Sequence, residues 1–80
     1  MTSVEIHEKL TSVFRSFFDD PNLTIGEGTT AKDIDDWDSV AHVSLMVAVE
    51  KAFGVRFTTR EVQTLANVGD FARLIARRLK

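Results

Sequence analysis

Cysteine is absent from this 80-residue chain, which excludes a disulfide framework, a thiolate metal site and a cysteine nucleophile. That absence fits a reducing compartment. No apolar run approaches the length needed to cross a bilayer. The opening Met-Thr-Ser-Val-Glu-Ile-His lacks the basic start and apolar run of a signal peptide. A cytoplasmic protein with no membrane partner is therefore expected. Dense basic stripes are missing too. The cluster Arg73, Arg77, Arg78 and Lys80 is short and suits a helix C-terminus, so no nucleic-acid partner is expected. No segment alternates with a strand period, and no repeat is visible.

What remains is ordinary for a globular domain, at 44% hydrophobic and 28% charged. The length predicts one domain over residues 1–80 with a thin core, and a monomer is expected. The net charge of -2 hides a polarity. Between residues 19 and 38, Asp19, Asp20, Glu27, Asp33, Asp35, Asp36 and Asp38 face only Lys32. From residue 39 onward, bases outnumber acids. An acidic connection precedes a weakly basic half, and solvated charge that complements helix ends accounts for much of it.

Helical spacing dominates the chain. Ile6, Leu10, Val13, Phe14 and Phe17 share one face of a helix over about residues 3–18, opened by the capping-box pair Thr2 and Glu5. Asp19-Asp20-Pro21-Asn22 stops it, since proline cannot continue the hydrogen-bond ladder. Residues 19–37 form a long connection with Pro21, Gly26 and Gly28 as turn formers. Leu23, Ile25, Ile34 and Trp37 within it read as pegs that tack it to the core, and a long ordered loop in a small domain is often functional. A central helix runs from Asp38 or Ser39 to about Phe53 and ends at Gly54. Its apolar stripe is Val40, Val43, Met46, Val47 and Phe53, widened by Leu45, Ala48, Val49 and Ala52. Thr58 with Glu61 caps a short helix over about 59–65, with Val62 and Leu65 facing in. Asn67 caps the last, about 68–79, with Val68, Phe71, Ala72, Ile75 and Leu79 inward. The predicted fold is all-α: a bundle of three longer helices and one short one, with a long loop between helices 1 and 2.

Chemistry concentrates at Trp37-Asp38-Ser39-Val40. An Asp-Ser pair at a helix start is first of all a cap and a first-turn residue. Its surroundings carry more. Asp38-Ser39-Val40 opens the helix, Glu50 lies near its end, and Phe53-Gly54-Val55-Arg56-Phe57 follows. Thr58-Thr59-Arg60-Glu61 and Asn67-Val68-Gly69-Asp70-Phe71 complete the run. This combination resembles the acyl carrier proteins across nearly the whole chain. Val40 departs from the leucine usual in that family's Asp-Ser-Leu motif.

The resemblance implies a four-helix carrier without catalytic activity. Ser39 would bear a covalent 4′-phosphopantetheine arm whose thiol holds acyl groups as thioesters. The arm would come from coenzyme A through a separate phosphopantetheinyl transferase that supplies the base and magnesium. Asp38 would help that transferase engage while also serving as helix cap. Other partners would be acyl-loading and acyl-processing enzymes of fatty acid, polyketide or other specialised metabolism, the Trp-Asp-Ser opening being similar to that of discrete carriers of specialised pathways. Candidate partner contacts are Asp35, Asp36, Val40, Met46 and Glu50.

Three alternatives stand beside it. A Ser39–His42 hydrolase would need an orienting group, an oxyanion hole and a pocket that a bundle this small has little room for. His42 is expected to be a half-exposed surface residue, and His7, without a second ligand nearby, has no assigned function. A calcium loop over Asp33, Asp35, Asp36 and Asp38 lacks the required glycine and closing glutamate. An unmodified helical interaction module would show the same caps and stripes.

Overall fold

The computed structural model describes residues 2–79 and is all-helical among them. Helix α1 is Ser3–Phe17, α2 is Ser39–Phe53, α3 is Thr59–Thr64 and α4 is Val68–Arg78, with one 3-10 turn at Ala31–Asp33 inside the long connection. Local chemistry sets the starts. Thr2 with Glu5 and Thr58 with Glu61 form complete capping boxes, while Asp38 and Asn67 cap α2 and α4 through their side chains.

The stops differ in one respect from expectation. Pro21 does not terminate α1. Asp19 adopts a left-handed conformation at φ 52, and Asp20 N–H donates to the Arg15 carbonyl at 2.9 Å while Asp19 N–H donates to that of Ser16 at 3.3 Å. That pair of bonds satisfies the orphaned carbonyls before proline is reached, and aspartate tolerates the left-handed region better than most residues. Gly54 closes α2 in the same region, at φ 67.

One buried cluster joins the elements. Ile6, Leu10 and Phe14 of α1 meet Leu45, Met46, Val49 and Phe53 of α2 and Val68, Phe71 and Ile75 of α4. Ile25, Ile34 and Trp37 enter the same cluster from the connection, as pegs should. Polar straps hold that connection in place. Arg15 Nε donates to the Leu23 carbonyl at 2.6 Å, and Val68 and Gly69 N–H donate to the Thr29 and Glu27 carbonyls at 2.9 Å each. A Cβ on Gly69 would sit 3.1 Å from the Glu27 oxygen, so glycine permits this close approach.

Three carboxyls at helix starts are held below the ordinary range. Backbone N–H donors lead in each case: Thr2 for Glu5, Thr58 for Glu61 and Ala66 for Asp70. Arg78 adds to the effect on Glu61 and Arg73 to that on Asp70. Since folding lowers these pKa values, their stabilisation is complete above the unfolded carboxylate range and is lost as pH falls through the folded values. The urea midpoint should therefore decline as pH is lowered through the acid range. The double variant Glu61→Gln, Asp70→Asn should show a shallower decline, and an equally steep one would show that other groups carry the acid sensitivity.

Candidate functional site

The start of α2 is organised by Asp38. Its extended backbone turns the chain, its Oδ1 accepts the Ala41 N–H at 2.8 Å, and its carbonyl accepts the His42 N–H at 2.9 Å. Ser39 is the first helical residue and is exposed. No hydrogen bond among the described residues engages its Oγ. The first-turn N–H groups of Ser39 and Val40 likewise have no partner among them, as expected at a helix N-terminus. Asp35 and Asp36 lie exposed just ahead of this turn.

Trp37 sits directly behind it and is only 5% exposed. Its indole Nε1 donates to His42 Nδ1 at 3.1 Å. The other ring nitrogen, Nε2, lies 2.9 Å from the Val62 carbonyl of α3. An indole N–H can only donate and a carbonyl can only accept, so these two bonds use the His42 tautomer with its proton on Nε2. The ring also stacks on Trp37 at 6.0 Å with planes 19° apart, and meets Phe71 of α4 at 5.9 Å. From sequence, His42 is expected to be a half-exposed surface residue. In the fold it is half-exposed, as expected, but it is also a three-way junction of the connection, α2 and α3. Its one acceptor nitrogen is already used by Trp37, so it has none to offer Ser39 as a base. The hint in the sequence is the Trp37–His42 spacing across the helix start.

The inward face of α2 differs in part from expectation: Met46 and Phe53 of the expected stripe are buried, but its three valines are not. Val40 is 78% exposed, and Val43 and Val47 join it on an outward apolar stripe. The buried face is Leu45, Met46, Val49 and Phe53. Met46, expected among partner contacts, is 2% exposed and belongs to the core. Glu50 is half-buried, and its Oε2 accepts the Phe57 N–H at 2.8 Å, pinning the connection into α3. Apolar residues lie almost all round α2, so spacing alone does not say which side is inward.

Ser39 lies on a shallow open groove of about 480 Å³ between the connection, α2 and α3. Trp37, Asp38, His42, Val62 and Leu65 also line it, and no lysine or arginine does. Among the described residues no three His, Cys, Asp or Glu side chains converge as a metal site.

A family model described as a phosphopantetheine attachment site matches residues 8–75. Among solved structures, the chain is similar to the holo acyl carrier protein from Geobacter metallireducens, determined by solution NMR. The TM-score is 0.85 and the identity 41%, over 91% of this chain and 84% of that one. No curated protein sequence matches significantly.

Proposed function

The chain belongs to the acyl carrier protein family, and from that premise we propose that Ser39 Oγ carries its covalent 4′-phosphopantetheine. As a member of that family it is a carrier and not a catalyst. One observation carries the assignment of Ser39: an exposed hydroxyl, free of hydrogen bonds, that opens α2 directly behind the Asp38 cap and borders the groove between α2 and α3. The residues fit the group. Free N–H groups at a helix start favour a phosphodiester there. The groove beside Ser39 presents no lysine or arginine side chain. Once attached, the arm supplies a terminal thiol on which acyl groups travel as thioesters.

In attachment, Ser39 Oγ forms the new P–O bond at the β-phosphorus of coenzyme A. The pyrophosphate bond breaks, adenosine 3′,5′-bisphosphate leaves, and the serine proton passes to the base of the phosphopantetheinyl transferase. Intact mass after incubation with coenzyme A, magnesium and a transferase tests this reading. A gain of one phosphopantetheine supports it, and a mass that never changes refutes it.

The finer placement concerns partners. Val40, Val43 and Val47 form the outward face of α2, while that helix contributes only Glu50 and Lys51 as charges. Recognition should lean on apolar contact, with Asp35, Asp36 and Asp38 supplying the local negative field. Long-range steering scales with the charge presented, so it should be weak here. We read this surface as fitted to a dedicated partner of a specialised pathway, and less to general fatty acid synthesis. Turnover of the malonyl-loaded protein by a fatty acid ketosynthase should be poor at all salt concentrations. Efficient turnover that collapses as salt rises would instead show electrostatic recognition at work.

A further inference from the structure

We infer that His42 is a positioning residue that limits how much cargo this carrier can shelter, because its bridge to Val62 holds α3 closed over the groove at Ser39. The inference rests on Ser39 as the attachment point. It begins from how α3 is held: Val62 and Leu65 pack on the core only partly buried, and Glu50 of α2 pins Phe57 just ahead of the helix. That helix has six residues and buries none of them fully. Its capping box is internal, and the Arg78 contacts to Glu61 and to the Arg56 carbonyl run to α4 and not to α2. Among the described residues the His42–Val62 bond is the only hydrogen bond from α2 to α3.

The bridge also lies where cargo would have to pass. His42 and Val62 both line the groove that Ser39 borders. Behind the imidazole is Phe71, which is fully buried, and beside it is the Trp37 ring. An acyl chain moving inward between α2 and α3 must separate His42 from Val62 or push the ring off Trp37. Either leaves a polar group unpaired in an apolar setting, which is costly. With the bridge closed, a long chain therefore stays outside and a short one suffices for the open groove.

Two measurements test the inference, and the first does not need the arm. Amide exchange in unmodified protein should show α3 opening several-fold faster in His42→Leu, while α1 amides keep their rates. His42→Gln, which can still donate to the Val62 carbonyl, should restore protection of α3 without restoring the Trp37 indole N–H. If α3 exchange is indifferent to the substitution, the latch is refuted, whatever the status of Ser39. Should His42→Leu not fold, His42→Gln decides the matter in its place, since loss of α3 protection in a variant that keeps the donor to Val62 would refute the latch. The second measurement uses protein loaded with octanoyl groups, the loading checked by intact mass so that a failure at Ser39 is seen separately. Hydroxylamine should cleave the wild-type thioester as fast as octanoyl-pantetheine, and the His42→Leu thioester several-fold more slowly. Equal protection in wild type and variant would overturn the role in cargo shelter.

Discussion

Ser39→Ala should abolish incorporation of phosphopantetheine and leave the fold nearly unchanged. The loss should be complete because no other hydroxyl follows an aspartate cap: Ser3 and Thr59 open α1 and α3 in a similarly exposed way, but behind threonine caps. Ser44, the next serine on α2, lies in the helix interior, away from the free N–H groups of the first turn. The fold should tolerate the change because Ser39 Oγ has no hydrogen bond and little packing to lose, and Asp38 keeps the cap. A stability change within about 0.5 kcal/mol is expected for such a surface position. Asp38 supplies the companion experiment. Asp38→Asn keeps an oxygen that can accept the Ala41 N–H, whereas Asp38→Ala removes it and should cost about 1 kcal/mol. If the aspartate charge helps the transferase engage, Asp38→Asn should slow modification at unchanged stability. Persistence of the mass gain in Ser39→Ala would show that the arm is attached elsewhere.

The features legible in the sequence are those that short-range chemistry decides. Thr2 with Glu5, Thr58 with Glu61, and Asn67 each meet their own backbone within three residues, so the helix starts are visible. The inward faces of α1 and α4 are visible because their apolar residues contrast with polar ones, although Leu74 is buried beside Ile75 without being expected there. No such contrast exists on α2. Val40, Val43 and Val47 obey helical spacing as well as Leu45, Met46 and Val49 do, and only packing against α1 selects the second set. The motif around Ser39 is legible as a combination, whereas the junction at His42 is not. Its partners come from the connection and from α3, and the Val62 contact spans twenty residues. A backbone carbonyl as partner leaves no side-chain signature in the sequence at all.

Trp37→Ala should have the largest effect on stability. The indole is buried where α1, α2, α4 and the connection meet. Its ring lies 5.3 Å from Phe14, edge on, and 5.8 Å from Phe71, with Phe18 at 6.5 Å. Truncation removes these contacts and leaves a cavity that flanking groups cannot readily fill, since Phe14 and Phe71 are themselves fully buried. The usual cost of such a truncation is about 3–5 kcal/mol. Domains of this kind are stable by roughly 5–15 kcal/mol, and a small one sits toward the lower end, so much of the variant population should be unfolded or loosely packed. The change also strips His42 Nδ1 of its donor and frees the last peg before Ser39. Trp37→Phe separates the two effects, because it keeps most of the packing and loses only the N–H. Its cost should be about 1 kcal/mol from the hydrogen bond, plus a smaller cavity contribution. Urea unfolding followed by circular dichroism measures both variants without relying on tryptophan fluorescence. A loss below about 1 kcal/mol for Trp37→Ala would mean that Trp37 is draped over the bundle instead of wedged into it. The connection would then be ordered by its backbone straps to Glu27, Thr29 and Leu23 alone.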